Sequence, residues 1–204
     1  PVTDPYQLPA SDHYDFPMPV IIGGSYYDLA FLWYYWWWEL VPPGDAFANS
    51  RNFQVVNESL DTIAGSVPDQ TCKALVFIPT KEMLYYRYIY DTERLWVRQN
   101  GNQLALADDG TIAIIPAPIA DADEPQFMDN LYGQRNAIQK LVEAKPGWHF
   151  IDLTPAFEAK VGDGQLLYYP YDSHWNQAGH DLAAATIAET LQQVDGCNPP
   201  SDQP

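Results

Sequence analysis

The stretch YPYDSHWNQAGHDLAAATIAETL, residues 169–191, sets an aspartate, a serine and a histidine in three consecutive positions. Asp172 and His174 have the types and spacing for acid–base work. An imidazole takes a proton from an attacking hydroxyl best when a carboxylate fixes its tautomer and stabilises its cation. The chain has only 4 histidines, so the placement of this one carries information. A hydroxyl nucleophile must come from elsewhere in the chain. Ser25, in VIIGGSYYD, follows a short apolar run and two glycines. It reads as the point where a strand turns sharply into a helix, whose free N–H groups and positive end suit a developing oxyanion. Ser25, His174 and Asp172 thus read as nucleophile, base and orienting carboxylate. Asn57 reads as an oxyanion donor or, equally, as a helix cap. Lys81 and Trp175 read as further substrate-binding groups. A metal set of Asp172, His174 and His180 is rejected, because His180 falls on a different face of a helix.

The elements that must position these residues follow from apolar runs and their stops. Residues 1–17 are rich in Pro, Asp and Tyr and read as an extended arm. MPVII at 18–22 reads as a buried parallel strand. A helix is expected from Ser25 to about Val41, closed by Pro42-Pro43-Gly44. FQVV at 53–56 reads as a second strand, with a helix over 58–65 behind Asn57. ALVFI at 74–78 is a third strand, followed by a short helix over 81–90. Residues 91–125 read as an irregular insertion with a hairpin around Gly110. Apolar residues at 127, 128, 131, 138, 141 and 142 make one helical stripe over 127–144. HFIDL at 149–153 is a fourth strand, and a helix from Thr154 to Val161 has Thr154 as its cap and Pro155 inside its start. The last helix runs from about Asn176 to Val194, and 195–204 is a tail. Alternating strands and helices imply a parallel sheet covered on both faces, with its site at the carboxyl ends of the strands.

Composition narrows the partners. Lys and Arg number 10 against 27 Asp and Glu, a formal charge of −17 that repels nucleic acid and anionic lipid. Aromatic residues are 14% of the chain, as in proteins that stack flat rings on sugars, although an aromatic-rich core explains the same figure. No run reaches the ~18 apolar residues needed to span a bilayer. The aromatic run WYYWWW at 33–38 leaves some rings facing outward on any helix. It marks a surface for a sugar chain, a protein partner or a membrane. The opening PVTDPYQLP reads as a processed or truncated start.

Two cysteines, Cys72 and Cys197, form no metal-type cluster in sequence. They read as free thiols or as a disulfide, and the topology favours the disulfide. Cys72 precedes the third strand and so sits at the amino-end face of the sheet. The last helix, about 28 Å long, returns the chain to that face just before Cys197. Such a bond belongs in an oxidising compartment.

The pieces VIIGGSYYD, CKALVFIPTKEMLYYRYI, FIDLTPAF and LLYYPYDSHWNQAGHDLAAA resemble, in that order, the SGNH/GDSL hydrolase superfamily. They are most similar to its branch of alginate O-acetyltransferase-like polysaccharide acetylation proteins. D-x-H-W-N and the following Gly179-His180 are the specific part, and Pro79 to Glu82 supports it. The resemblance spans about 18–194, with 91–125 unmatched. It implies a three-layer α/β/α, flavodoxin-like fold and a Ser25–His174–Asp172 triad. It also implies acyl-ester hydrolysis or acetyl transfer on a carbohydrate hydroxyl, with no cofactor and no metal. The family's G-D-S is Gly23-Gly24-Ser25 here, so the aspartate that supports the turn is missing. The expectation is therefore an extracytoplasmic serine esterase or O-acetyltransferase acting on a polysaccharide. The alternative is a catalytically degenerate scaffold or interaction subunit that docks through the Trp-rich segment.

Overall fold

The computed structural model describes residues 14–32, 47–91, 94, 102–106, 112–116, 124–194 and 197. The aromatic run at 33–38, the expected helix beyond residue 32 and the first 13 residues of the arm lie outside them. Strands β1 (Tyr14–Ile22) and β2 (Ser25–Leu32) form an antiparallel hairpin with Ile22 opposite Ser25. This corrects the strand-then-helix expectation at Ser25. Gly23 and Gly24 have φ of 55° and 78°, and a two-residue turn with both centres left-handed directs the chain straight back along itself. Gly23 is also a point of backbone contact, since a Cβ there would lie 2.6 Å from the Gly164 Cα.

Helix α1 (Arg51–Ser66) follows, capped by the Ser50 side chain, which accepts from the Phe53 N–H at 3.2 Å. It absorbs FQVV, expected as a strand. Phe53, Val56 and Leu60 lie at helical spacing and pack together against Ile138, Val142 and Trp148. A run of four residues fits either period, and burial on one stripe decides for the helix. Strand β3 (Lys73–Phe77) leads to helix α2 (Lys81–Tyr85), capped by Thr80 and continued by one 3₁₀ turn over Tyr86–Tyr88. In the 91–125 region, β4 (Asn102–Leu106) and β5 (Ile112–Pro116) pair antiparallel with Leu106 opposite Ile112; the turn expected about Gly110 lies outside the described residues.

The single helix expected over 127–144 is two, α3 (Glu124–Leu131) and α4 (Gly133–Glu143), parted at Tyr132 by a tight bond from its N–H to the Asp129 carbonyl, 3.2 Å. Strand β6 (Trp148–Asp152) pairs parallel with β3, Leu75 opposite Phe150. Helix α5 (Thr154–Gly162) starts one residue before Pro155. Its first N–H is taken by the Asp152 carboxylate at 2.9 Å, so Asp152 rather than Thr154 does the capping. Helix α6 (Gln177–Gln193) closes the described fold, capped by Asn176, whose side chain accepts from the Gly179 N–H at 3.0 Å.

Helices and a small parallel sheet are thus present. Among the described residues the strands form three two-stranded sheets, β1–β2, β3–β6 and β4–β5, and a three-layer flavodoxin-like stack is not seen. The main core joins the inner face of the hairpin to α2, β6 and α5 through Val20, Leu29, Tyr85, Ile151 and Phe157. No helix among the described residues is long and apolar enough to cross a membrane.

Cys72 and Cys197 form a disulfide with Cα atoms 5.0 Å apart, fastening the end of α6 beside the start of β3. The His149 ring lies next to it, its ligand atom within 4.8 Å of both sulfurs, but both thiols are consumed by the bond. The bond closes a loop of 125 residues. In the chain-entropy account that stabilises the fold by about 4 to 5 kcal/mol. The variant Cys197→Ser should therefore unfold at markedly lower denaturant than the oxidised wild type. Reductant should lower the wild-type midpoint and leave the variant's unchanged, a comparison that urea titration followed by tryptophan fluorescence makes directly.

Candidate active site

The residues Asp172, Ser173 and His174 lie on the connection between α5 and α6. That connection folds back on itself. Tyr168 bridges Trp175 antiparallel, Tyr169 N–H donates to His174 O at 3.1 Å, and Asn176 N–H donates to Leu167 O at 3.0 Å. The Asn176 side chain works in both directions. Its carbonyl caps α6, and its amide donates to Leu166 O at 2.8 Å. A Cβ at Gly179 would collide with the Leu167 carbonyl, so glycine lets the first turn of α6 sit against this loop.

Within the loop, Asp172 Oδ1 accepts from the His174 backbone N–H at 2.8 Å and also contacts Nδ1 of the same histidine. With its proton directed to the carboxylate, Nδ1 fixes the tautomer and leaves the Nε2 lone pair free. The His174 side chain is 81% exposed and that of Asp172 22%. Burial alone raises the Asp172 pKa. The hydrogen bonds from the His174 ring and N–H, and the charges of His174 and Lys81, outweigh it and hold the carboxyl below its ordinary value. The contact between Asp172 and His174 expected from the sequence is thus present, with the carboxylate on Nδ1.

Lys81, expected as a substrate-binding group, is buried beside the cavity. It is 1% exposed, and its ammonium donates to Ala30 O at 2.7 Å, Tyr169 O at 2.8 Å, Pro170 O at 2.7 Å and Asp172 O at 3.1 Å. Three N–H bonds shared among four carbonyls leave no donor for an oxyanion. The Phe31 ring lies 5.5 Å away. Burial lowers the Lys81 pKa to about 7, against the opposing charges of Glu82 and Asp172. The signal for this role was a lysine shortly after a strand end, P-T-K-E, opening a helix that is buried from Lys81 to Tyr85.

Trp175 walls the site. Its indole N–H donates to Tyr168 OH at 2.7 Å, and its ring packs on Phe157 at 5.6 Å and on His180 at 5.2 Å. The cavity beside the loop measures about 410 Å³ and is lined by Ile78, Pro79, Thr80, Trp175, His174 and His180 among others. His180, dismissed as a ligand from the sequence, therefore faces the same space as His174.

Two expected partners are absent from this space. Asn57 sits inside α1, whose packing is with the second core cluster, and neither caps a helix nor reaches the loop. Ser25 is exposed beside the hairpin turn. The point where the hairpin touches the site is Ala30, whose N–H donates to Pro170 O at 2.8 Å. Ser25 lies about 16 Å back along β2 from there, at ~3.3 Å per residue. The neighbouring Gly23 packs on Gly164, past the far end of α5. The structure thus brings Asp172 and His174 together and leaves Ser25 at the other end of the hairpin.

Residues 114–203 match the family described as SGNH hydrolase-like domain, acetyltransferase AlgX. The matched stretch contains the Asp172–His174 loop and α6, and bears out the resemblance read from D-S-H-W-N; Ser25 and Lys81 lie outside it. Comparison with curated proteins and with solved structures gives no match.

The buried ammonium makes a measurable demand on stability. An unfolded lysine, with its pKa at 10.5, keeps a proton that the native Lys81 releases above about 7. The unfolded state then binds more protons, so this residue makes stability rise with pH through that window. Below about pH 7 both states are protonated and the contribution is flat. Lys81→Met should abolish this rise between about pH 7 and 9.5, by up to ~1.4 kcal/mol per pH unit. Denaturant unfolding of both proteins across that range measures it.

Proposed function

We propose that the chain performs O-acyl ester chemistry, hydrolysis or acetyl transfer, on a carbohydrate outside the cytoplasm, with Asp172 and His174 as its proton-handling pair. The observation that carries this reading is the His174 imidazole held on Asp172 through Nδ1 with Nε2 free beside an open cavity. Nε2 accepts the proton of an attacking hydroxyl as its oxygen adds to the ester carbonyl carbon. The same proton passes to the departing alkoxide oxygen as the old C–O bond breaks, so the imidazole returns to its starting form. Asp172 offsets the charge of the transient imidazolium. The attacking hydroxyl enters from the open side of the cavity, as water for hydrolysis or a sugar alcohol for transfer, and is not that of Ser25. The family match supports the acyl class, and the disulfide supports an oxidising compartment.

A second reading is favoured by the distance of Ser25 from the loop: an SGNH-type scaffold that no longer turns over ester. One assay separates the two. In p-nitrophenyl acetate turnover, His174→Ala should lose on the order of 10³-fold in kcat/KM and Asp172→Asn about 10² to 10⁴, while Ser25→Ala stays within about twofold of wild type. If Ser25→Ala is as inactive as His174→Ala, the placement of the nucleophile is wrong. A folded wild type with no turnover establishes the scaffold.

A further inference from the structure

The clip between α6 and β3 gathers three metal-type ligands rather than two. His149 stands on β6 opposite Ala74, which is two residues beyond Cys72. Cys197 reaches the same spot from the end of α6. A ring nitrogen of His149 and the two sulfurs all lie within 4.8 Å of one another, and all three residues are half-buried. Among the described residues no other three histidine, cysteine or carboxylate side chains are gathered in this way. The neighbouring cation, Lys73, turns its ammonium onto the Asp69 and Thr71 carbonyls at 3.4 and 3.1 Å. The 17 residues of α6 part this cluster from the His174 loop by about 25 Å, at ~1.5 Å per residue.

In the oxidised chain the sulfurs are spent on each other. Reduction frees them. Two electrons from a phosphine cleave the S–S bond, the phosphorus takes its oxygen from water, and each sulfur leaves with a proton. Tetrahedral zinc holds thiolate sulfur at about 2.3 Å and imidazole nitrogen at about 2.0 to 2.1 Å, so its ligand atoms stand about 3.5 to 3.8 Å apart. That spacing lies inside the 4.8 Å over which these three atoms are already gathered. Cysteines with Cα atoms 5.0 Å apart reach it by turning about their Cα–Cβ bonds. Two thiolates and an imidazole suit zinc, whereas calcium and magnesium take oxygen ligands. We propose that the reduced chain binds one Zn²⁺ through Cys72, Cys197 and His149, with water in the fourth position. The metal then fastens α6 to β3 at the point where the disulfide does so in the oxidised chain. Zinc displaces the two thiol protons as it binds, so metal and disulfide exclude each other. The ester chemistry proposed for the His174 loop does not depend on this site.

The test uses the full chain, reduced with a phosphine, desalted under nitrogen and held at about pH 7.5, where the thiols can release their protons. Zn²⁺ is titrated in competition with a chromophoric chelator. The reduced wild type should take up one zinc with a Kd below about 1 μM, and the oxidised chain should bind at least about 100-fold more weakly. Co²⁺ in place of zinc should give the thiolate charge-transfer band and the visible bands of a tetrahedral site. Cys197→Ser and His149→Ala should each weaken zinc binding by at least about tenfold. Oxidised His149→Ala should keep the urea midpoint of the oxidised wild type, which separates loss of a ligand from loss of the fold. At about 10 μM zinc the urea midpoint of the reduced wild type should rise, and that of reduced His149→Ala by less than half as much. This second readout serves even where reduction loosens the chain. Equal affinity in the reduced and oxidised chains, equal affinity in wild type and His149→Ala, or a cobalt spectrum without thiolate bands overturns the proposal. So does a reduced chain that takes up no zinc.

Discussion

The site depends on one buried ammonium. Taking a lysine out of water costs several kcal/mol even after relaxation. Hydrogen bonds from a charged donor return about 1.5 to 3 kcal/mol each. The fold gives Lys81 four carbonyl oxygens at 2.7 to 3.1 Å, and its pKa still falls to about 7. Desolvation therefore outweighs the compensation. A group kept at such a cost defines geometry. The ammonium draws the carbonyls of Tyr169, Pro170 and Asp172 toward one point and ties that point to Ala30 on β2.

The rest of the site follows from that anchorage. Once the loop is pinned at Asp172, the carboxylate meets both the backbone N–H and the ring of His174, and the imidazole projects outward with its tautomer set. The two ends of the loop are held separately, by the Tyr168–Trp175 bridge and by Asn176 at the start of α6. The indole of Trp175 then reaches Tyr168 OH, which in turn donates to the Pro79 carbonyl. That chain of bonds ties the loop to the residues just ahead of Lys81. Two independent connections from the β3–α2 junction thus hold one loop. The disulfide acts on the opposite end of α6, fastening the helix whose first turn carries the loop.

Much of this was legible where one local signal sufficed. The β3 and β6 runs, the Asn176 cap, the Asp172–His174 pair and the Cys72–Cys197 bond each rest on short-range pattern or on the length of one helix. The misreadings share a cause. Gly-Gly breaks a strand equally well before a helix or inside a two-residue hairpin, and only the partner strand decides for the hairpin at Gly23-Gly24. The helix expected to open at Ser25 went with that choice. FQVV fits either period, and the α1 stripe from Phe53 to Leu60 appears only when α4 and β6 are there to cover it. Asn57 lost its cap with the strand. The carbonyl contacts of Lys81 were not legible, because its acceptors lie 51 to 91 residues away in the chain.

In the proposed reading Lys81 holds the loop of Asp172 and His174, and Ser25 stands apart from it. A crystal structure of the oxidised chain tests it most directly. It should show the Lys81 ammonium within about 3.2 Å of the Ala30, Pro170 and Asp172 carbonyls, and Ser25 Oγ more than about 10 Å from His174 Nε2. A Ser25 hydroxyl within about 3.5 Å of that nitrogen, or a Lys81 side chain turned out into the cavity, contradicts it.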